Sequence, residues 1–379
     1  MTYTRLGDKI NGWLTEPPPK DVRDRLQFIS NLEDVVGVAV MPDVHLANDF
    51  CIGTAIATKS RIYPGAIGQD IGCGMTTIQF DGDTDSITDE VSTKILTMMK
   101  RFVPILRHPT NRMADVTTDS FCEFGLSDDR LTKISQRDGR VQFGTLGRGN
   151  HFFELQADEE NRLWALVHSG SRGMGHAITA HHLRLAEMTR RCHYLIDDSQ
   201  AGQNYLNDAE WAISYAKQNR LQMIWSVCEL IELITGIKPI IDSLIDSSHN
   251  HVRRENHGGT SLWLHRKGAQ SAGLDELGII PGSMGSSTFH VSGRGSIEAY
   301  SSCSHGAGRK LSRTEARKRI TVRQVSNELR GIHCDPAKLN AIREEAPSAY
   351  KDIRKVVRAQ KKLVRICREL RPLLNYKGV

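Results

Sequence analysis

Residues 35–80 read VVGVAVMPDVHLANDFCIGTAIATKSRIYPGAIGQDIGCGMTTIQF, and this stretch decides which kind of fold the chain adopts. Three runs within it are rich in apolar and β-branched residues: VVGVAVMP at 35–42, GTAIATKSRIYPGAIG at 53–68 and MTTIQF at 75–80. Short apolar runs bounded by turn residues are typical of buried strands. A polar loop from Asp43 to Asp49 and a glycine-rich turn at 68–74 separate these runs. The stretch therefore predicts strands with polar side chains gathered where they end.

Outside this stretch, predicted helices and strands follow one another without a regular alternation. Helical apolar spacing predicts helices over residues 20–32 and 87–106, and a helix-rich excursion over about 176–235. Further strand-like segments are HFFELQ at 151–156, LWALV at 163–167, SLWLHRKGA at 261–269 and STFHVSG at 287–293. Because no βαβ rhythm is present, the pattern favours an α+β fold, with central β-sheets flanked by helices, over a doubly wound sheet.

No linker, repeat or low-complexity segment divides the chain, so we predict a single domain over residues 1–379. An N-terminal arm over residues 1–20 contains the PPP at 17–19, and a basic helical C-terminal part covers residues 310–379. The apolar residues that predict helix in that last part share one helical face: Ile353, Val356, Val357, Leu363, Val364, Cys367 and Leu370. Residues 108–140 predict a polar surface excursion, and SSHNH at 247–251 predicts a loop.

The composition is that of an ordinary soluble globular protein. Charged residues make up 25% and hydrophobic residues 39% of the 379 residues, which excludes disordered and fibrous classes. No apolar run is long enough to cross a bilayer, and the N-terminus lacks the apolar core of a signal peptide. The eight cysteines contain no CxxC pair, so reduced thiols and a cytoplasmic location are expected.

Positive charge is concentrated toward the C-terminus. The chain carries a net charge of +6, but the segment from Arg294 onward contains 21 Lys and Arg against 8 Asp and Glu, a balance of +13. The preceding residues therefore carry about −7. Such a segment is either a footprint for a phosphate backbone or a solvated helix surface, and charge alone does not separate the two.

Residues that commonly bind metals occur at the predicted strand ends. They are Asp70 and Cys73 in QDIGCGM, His151 in GNHFFE, His168 in HSGSRG, His249 in SHNH and His305 in SCSHGAGR. Mixed O, N and S donors suit Mn, Fe, Co or Zn better than Mg or Ca. Taken singly, each has an ordinary structural explanation, because a buried cysteine often fills a core and an aspartate often caps a turn.

The motifs together resemble the RtcB family of RNA ligases. In chain order they are QDIGCGM, GTLGxGNHFxE, HSGSRGxG, the His249–Asn250 pair, RKGA, GIIPGSMG, SCSHGAGRxxSR and a terminal KG. The resemblance runs from about Val38 to the last residues. It implies two Mn²⁺ ions held by Asp70, Cys73, His151, His168 and His249, and a guanylate carried by His305. It also implies nucleotide contacts from Asn150, Glu154, Asn250, Ser283 in GSMG, Tyr350 and Lys377.

The resemblance further implies the reaction. Family members use GTP to join an RNA 3′-phosphate or 2′,3′-cyclic phosphate end to a 5′-hydroxyl end. Two alternatives remain open, namely a metallophosphoesterase that no longer seals RNA and a non-catalytic RNA-binding protein. Arg172 and Arg309 are expected to contact RNA phosphates, although a structural salt bridge would explain each equally well.

One loop departs from the family pattern. Where family members commonly read MPDVHxGKG, this chain reads MPDVHLANDF, so Ala47, Asn48 and Asp49 replace Gly, Lys and Gly. The loop has either drifted without consequence or marks a narrower RNA substrate. The chain resembles the shorter bacterial paralogues found beside a release-factor-H-like protein and associated with repair of cleaved ribosomal RNA. An archease-like activator is a further possible partner.

Overall fold

Two large β-sheets form the framework of the molecule in a computed structural model that describes residues 3–47, 49–109, 125–189 and 192–378. The first sheet has six strands in the order β1-β2-β3-β4-β13-β12, and the second has seven in the order β11-β6-β8-β7-β18-β16-β15. Two smaller sheets have the orders β5-β10-β9 and β14-β17. The strands are β1 (Thr4–Gly7), β2 (Ile10–Gly12), β3 (Val35–His45), β4 (Ile52–Thr58), β5 (Arg61–Ile62), β6 (Gly74–Asp83), β7 (Phe152–Ala157), β8 (Arg162–Ser169), β9 (Glu187–Thr189), β10 (Cys192–Ile196), β11 (Pro239–Ser248), β12 (Asn250–His257), β13 (Thr260–Lys267), β14 (Ala269–Ser271), β15 (Leu277–Pro281), β16 (Thr288–Gly293), β17 (Ser302–Ser304) and β18 (Val364–Lys377).

Helices cover the sheets. They are α1 (Lys20–Ser30), α2 (Asp89–Phe102), α3 (Asp129–Ile134), α4 (Arg140–Gln142), α5 (Gly173–Leu183), α6 (Gln200–Thr235), α7 (Arg313–Arg319), α8 (Val322–Glu328) and α9 (Ile353–Ala359). The longest, α6, begins at the N-cap Ser199, whose hydroxyl accepts from Gly202 N–H, and ends at Gly236 in the left-handed conformation with φ 76°. Among the described residues, no helix is both long enough and apolar enough to span a membrane.

Each large sheet has its own apolar core. Helices α2 and α6 pack on the seven-stranded sheet, where Met99 and Val227 are fully buried with Ile78 and Val167 of the strands. On the six-stranded sheet, Leu26 of α1 packs with alternate side chains of β3. Because β3 is covered on both faces, its sequence is a continuous apolar run rather than an alternating one. The α+β prediction, with sheets flanked by helices, is confirmed.

Several local predictions are also confirmed, and others are wrong. The helices predicted over 20–32 and 87–106 are α1 and α2. The N-terminal arm contains the strands β1 and β2, which join the six-stranded sheet, so it is more than a peripheral extension. The 176–235 excursion is not wholly helical because β9 and β10 interrupt it. The predicted loop at 247–251 belongs mostly to β11 and β12, and His249 alone separates them.

The largest error concerns the end of the C-terminal part, for which the sequence predicts helices over residues 310–379. Helices α7, α8 and α9 lie within this range, but none extends beyond Ala359. Residues Val364–Lys377 form β18, which pairs with β7 on one side and β16 on the other. The apolar spacing fitted either structure, and pairing with distant strands decided the outcome. Pro372 is the local feature that disfavours a helix here, because a proline in a helix interior costs about 3 kcal/mol. In β18 the register shifts beside Pro372, as proline in a strand requires. Of the predicted 108–140 excursion, residues 110–124 lie outside the described residues.

Candidate metal centre and adjoining cavity

Strand register brings the five predicted metal ligands to one end of the seven-stranded sheet. Gly74, at the start of β6, pairs with Ser169 at the end of β8 and with Ser248 at the end of β11. Phe152, at the start of β7, pairs with His168. The residues beside these pairs therefore meet: Asp70 and Cys73 before β6, His151 before β7, His168 in β8 and His249 after β11.

The ligand atoms converge in two groups that share one thiol. Cys73, His168 and His249 form one group, and Asp70, Cys73 and His151 form the other, with the donor atoms of each group within 4.8 Å of one another. Cys73 Sγ lies 3.2 Å from His168 Nε2 and 3.6 Å from His151 Nε2. His151 Nε2 lies 2.9 Å from Asp70 Oδ2. Each group could hold a metal ion, and the Cys73 thiol belongs to both groups.

The hydrogen bonds of the histidines fit metal binding. His151 Nδ1 lies 2.9 Å from the carbonyl oxygen of Leu146, and His168 Nδ1 lies 3.1 Å from that of Asn150. A carbonyl oxygen only accepts, so both Nδ1 atoms carry the proton and both Nε2 lone pairs face the cluster. Metal-binding histidines are oriented in this way. The donor set of carboxylate, thiol and imidazoles therefore fits a first-row transition metal.

Protonation within the cluster depends on burial and on the neighbouring charges. Burial, together with the nearby His151, holds the pKa of His168 well below its ordinary value. Burial alone would raise the pKa of Asp70, but His151 in its protonated form, which donates from Nε2 and carries a positive charge, outweighs burial and lowers this pKa to about 2. Burial and the Asp70 carboxylate raise the pKa of the Cys73 thiol well above its ordinary range. A bound cation would supply the charge that a thiolate needs in this position.

The loop before His151 admits only glycine at one key position. Gly147 has φ 98°, and a Cβ there would overlap both the Arg172 guanidinium and His151 Nδ1. A Cβ on Gly378, directly after β18, would overlap the carbonyl oxygen of Gly147. The end of β18 and the loop that carries His151 are therefore in direct backbone contact.

Arg172 and Arg309 differ in their surroundings. Arg172 precedes α5 with φ 57° and donates to Thr145 Oγ1 at 3.3 Å, so its guanidinium is held inside the protein. Burial lowers the pKa of Arg172. Arg309 lies in the wall of a cavity, and its Nη1 donates to Glu345 Oε1 at 3.2 Å.

His305 lies beside the candidate metal ligands, directly after β17. Its ring centroid is 4.8 Å from that of His249. Its Nδ1 donates to Asp43 Oδ2 at 2.7 Å, and its backbone N–H donates to the same oxygen at 3.2 Å. Asp43 is fully buried in β3. The aspartate therefore fixes the ring and leaves Nε2 as the nitrogen with a lone pair. The sequence showed that Asp43 belonged to a family motif but gave it no role.

A cavity of about 950 Å³ opens above His305 and His168. Five of the six residues predicted to contact the nucleotide line it: Asn150, Glu154, Ser283, Tyr350 and Lys377. Asn250 is not among the lining residues, because its amide donates to the carbonyl of Asp70 at 3.1 Å and accepts from Gly268 N–H at 2.9 Å. It ties the metal-binding turn to the RKGA turn.

Glu345 is the carboxylate that pairs with the cationic side chains of this cavity. It was not predicted as a site residue from the sequence. Lys377 Nζ donates to its Oε2 at 2.9 Å, and the Tyr350 hydroxyl donates to the same oxygen at 2.6 Å. The other buried acid in the lining is Glu154, whose pKa burial raises to about 8. No local motif surrounds Glu345, so only the fold could reveal its partners.

The loop that departs from the family pattern lies next to Asp43. Leu46 lines the cavity, whereas Ala47 and Asp49 are not among its lining residues and Asn48 lies outside the described residues. Lys351 Nζ donates to the carbonyl oxygens of Pro42 and Val44, which holds this end of β3 in place.

Comparison with known proteins gives one consistent family. The family model described as tRNA-splicing ligase RtcB matches residues 25–378. The RNA-splicing ligase RtcB of Escherichia coli (strain K12) is 34% identical over 369 residues, covering 90% of each chain. RtcB2 of Escherichia coli (strain ATCC 25922) is 30% identical over 376 residues, covering 93% of this chain and 91% of its own. The tRNA-splicing ligase RtcB of Nanoarchaeum equitans is 30% identical over 421 residues, covering 90% and 88%.

Proposed function

Because the chain belongs to the RtcB family of RNA-splicing ligases, we propose that it joins RNA ends through a guanylate carried by His305. The substrates are an RNA with a 3′-phosphate or 2′,3′-cyclic phosphate and an RNA with a 5′-hydroxyl. One observation carries the proposal: a histidine oriented by a buried carboxylate lies between the metal-ligand cluster and a cavity large enough for a nucleotide.

The first step is attack by His305 Nε2 on the α-phosphorus of GTP. The Nε2–P bond forms while the bond from that phosphorus to its bridging oxygen breaks, and pyrophosphate leaves. The ring gains positive charge as it attacks, and the Asp43 carboxylate at Nδ1 stabilises that charge. Two Mn²⁺ ions, when bound by Asp70, Cys73, His151, His168 and His249, would neutralise the phosphates and align the leaving group.

The remaining steps consume the guanylate. Water first opens any cyclic phosphate to a 3′-phosphate. An oxygen of that phosphate attacks the guanylate phosphorus, the Nε2–P bond breaks, and His305 is restored. The 5′-hydroxyl oxygen then attacks the RNA phosphorus, GMP leaves, and the hydroxyl proton is released to solvent. The product is an ordinary phosphodiester.

Guanine recognition is assigned to the cavity residues at the end of β18 and the start of β7. Guanine presents an acceptor at O6 and donors at N1 and N2. The Lys377 ammonium suits O6, and the side-chain oxygens of Glu154, which accept hydrogen bonds through the carbonyl oxygen even in the protonated acid, suit the donors. Asn150, Ser283 and Tyr350 complete the nucleotide contacts, and Arg172 and Arg309 remain proposed RNA phosphate contacts. Asn250 is proposed to act through the metal-binding turn rather than by touching the nucleotide.

The biological role that we propose is repair of cleaved RNA in the cytoplasm, acting on ribosomal RNA or tRNA. An archease-like activator and a release-factor-H-like protein are the proposed partners. A metallophosphoesterase is the second candidate, because Leu46 of the divergent loop lines the cavity next to the proposed nucleophile. A purely RNA-binding role would require neither His305 nor the metal ligands.

The decisive experiment is labelling with α-³²P-GTP and Mn²⁺, followed by denaturation. We expect a protein-bound label that is labile in acid and stable in base, as a histidine phosphoramidate is. His305→Ala should abolish it, while His193→Ala, which alters an exposed histidine on β10, should not. Retention of the label by His305→Ala would refute the route. Joining of a 3′-phosphate end to a 5′-hydroxyl end separates the ligase from the phosphoesterase.

The shared thiol provides a test of the metal assignment that does not depend on activity. Cys73→Ala removes a donor from both ligand groups, so we expect bound Mn²⁺ per chain, measured by elemental analysis after dialysis, to fall for both sites. Cys51→Ala alters another buried cysteine outside both groups and should retain the metal. Unchanged metal content in Cys73→Ala would exclude the bridging role.

A further inference from the structure

Two groups of residues line the large cavity. The first group surrounds the proposed nucleotide contacts on β7 and β18. The second comes from the N-terminal arm and the end of β3, and it includes Leu14, Glu16, Pro18, Pro19 and Leu46. His305 lines the same cavity; Asp43 of β3 holds its Nδ1, and the ring of His249 lies beside it. The volume of 950 Å³ is near the upper end of the range of about 300–1,000 Å³ for small-molecule pockets. Space remains for a second nucleotide.

The arm supplies an apolar wall that carries one carboxylate. Leu46 is 46% exposed at the cavity, and the prolines have no N–H to offer a ligand. The side chain of Glu16 is exposed and makes no hydrogen bond or salt bridge among those of the described residues. Lys351 is close enough for Glu16 to influence its pKa, but its ammonium already donates to the carbonyl oxygens of Pro42 and Val44. An ionised carboxylate only accepts hydrogen bonds, so this wall repels phosphate and suits donor groups on an apolar body.

Another part of the cavity lining has the opposite charge. Lys310, three residues before α7, and Arg313, the first residue of α7, line the cavity together with Glu315, and Lys310 is exposed without a carboxylate partner among the described residues. Arg313 remains 43% exposed beside Glu345 and Glu344. A polynucleotide in the cavity would therefore place its phosphates toward α7 and a nucleoside toward the arm. Proteins that bind single strands combine a basic groove with side chains on which the bases pack; aromatic residues usually supply that contact, and leucine and proline would supply it here.

From this we infer that the wall formed by Leu14, Glu16, Pro18, Pro19 and Leu46 binds the nucleoside of the 3′-terminal nucleotide of the RNA. The inference rests on the proposed function, in which the 3′-phosphate is the group that accepts the guanylate from His305. That phosphate would lie beside the guanylate when its own nucleoside occupies the remaining part of the cavity. Glu16 accepts a hydrogen bond from a base amino group or the ribose 2′-hydroxyl.

The wall is formed by segments that lie outside the family match or depart from the family pattern, so we expect it to affect which RNA is bound. Residues 1–24 precede the segment matched by the family model, yet five of the residues from Leu14 to Pro19 line the cavity: Leu14, Thr15, Glu16, Pro18 and Pro19. Leu46 lies in the loop that departs from the family pattern. Both contributions differ from the segments that carry the metal ligands and His305, so RNA preference and guanylation have separate structural sources.

The test measures RNA binding and guanylate transfer in separate assays. The Kd of a fluorescent 3′-phosphorylated oligoribonucleotide is measured by anisotropy, which requires no guanylation. Transfer is then scored on enzyme that has been labelled and freed of GTP. We expect Leu46→Ala to raise both the Kd and the KM for RNA by about five- to tenfold, the loss expected for a partly exposed leucine contact. Leu233→Ala, which alters an exposed leucine on α6, is the matched control and should leave both unchanged.

Two further comparisons identify what touches the wall. If the base packs there, an oligonucleotide with an abasic 3′-terminal residue should bind wild type weakly and lose little more in Leu46→Ala. Glu16→Gln should change the relative affinity for the four 3′-terminal nucleotides or for a terminal 2′-deoxyribose, whereas the exposed Glu229→Gln should not.

The inference is overturned if Leu46→Ala and Glu16→Gln bind every oligonucleotide as wild type does, or if the losses persist undiminished with an abasic terminus. Absence of a label on wild type would instead defeat the guanylation proposal. The anisotropy comparison would still decide whether the wall binds RNA, so the two failures are distinguishable.

Discussion

The proposed reactivity of His305 depends on its hydrogen bond to Asp43. The carboxylate accepts from Nδ1, which fixes both the orientation of the ring and the tautomer with a lone pair on Nε2. It also accepts from the backbone N–H of His305, so the side chain and the main chain are held by one oxygen. A neutral amide could present its NH₂ group to the ring and favour the unreactive tautomer.

We therefore expect Asp43→Asn to slow guanylation by at least about 100-fold, as the loss of an orienting carboxylate does in other histidine-dependent enzymes. The rate of label incorporation measures the effect, and metal content should not change because Asp43 is outside both ligand groups. Asp49→Asn alters an exposed aspartate in the same segment and is the control. A normal labelling rate in Asp43→Asn would show that Asp43 is not needed to orient His305 for guanylation.

Glu345 makes the cavity sensitive to acid. Burial alone would raise its pKa, but Lys377, Arg313 and Arg309 outweigh burial and hold this pKa below its ordinary value of 4.5. A carboxyl whose pKa is lowered by folding contributes stability above the unfolded-state pKa, and that contribution is lost as pH falls through the folded-state pKa.

Replacing Glu345 by Gln should therefore cost stability at pH 7, by about 3–5 kcal/mol because buried cations lose their partner. The difference from wild type should shrink as pH falls below 4.5. Urea unfolding at several pH values measures this, with Glu229→Gln as the exposed control. A difference that stays constant with pH would show that the charge of Glu345 contributes nothing to folding.

At the scale of elements, β18 connects the fold with the site. It lies between β7 and β16, and its last residues carry Asn375 and Lys377 into the cavity wall. Leu374 is fully buried against the α2 and α6 side of the sheet, whereas Ile366 on the same strand is 50% exposed. The loss of stability caused by a substitution in β18 should therefore depend strongly on which face of the strand carries it.

Leu374→Ala should lower the free energy of unfolding by about 2–5 kcal/mol, the range for a leucine truncated in a packed core. Ile366→Ala on the same strand should cost much less, since half of that side chain is already in solvent. Denaturant titration of the two variants compares them directly. Equal losses would mean that β18 is not packed as described.

The same strand shows where sequence reasoning succeeds and fails. Helices α1 and α2 were predictable because their apolar spacing and, in α2, the Thr88 cap are local properties. Strand β18 was not, because Leu363, Val364 and Leu370 fit helical spacing and its partners β7 and β16 lie far away in sequence. The site divides in the same way. Motifs indicated the candidate metal ligands and His305, which the fold brings together, whereas Glu345 is recognised only through the residues that the fold brings to it.

At the scale of the whole molecule, charge is distributed unevenly. The chain carries +6 overall, and the basic segment from Arg294 onward contributes α7, whose start borders the cavity. Binding of RNA phosphates releases counterions, so affinity falls as salt rises. The two interpretations left open for the basic segment, a phosphate footprint or a solvated surface, differ in this dependence.

If α7 contacts the RNA backbone, Lys310→Ala should reduce the slope of log affinity against log salt concentration by about 0.7, the value for one phosphate contact on a single strand. Affinity measured by anisotropy over a series of salt concentrations gives the slope. Lys59→Ala, which alters an exposed lysine after β4, should leave it unchanged. An unaltered slope in Lys310→Ala would favour a merely solvated surface at the start of α7.

The backbone contact between Gly147 and Gly378 would couple the loss of nucleotide binding to the loss of metal binding. The end of β18 rests on the backbone of the loop before His151, with no side chain between them to absorb a displacement. Fraying of this strand would withdraw Lys377 from the cavity and unseat His151 in the same event. Heating or mutation at this junction should therefore release nucleotide and metal together, as a single all-or-none loss of function rather than a graded one.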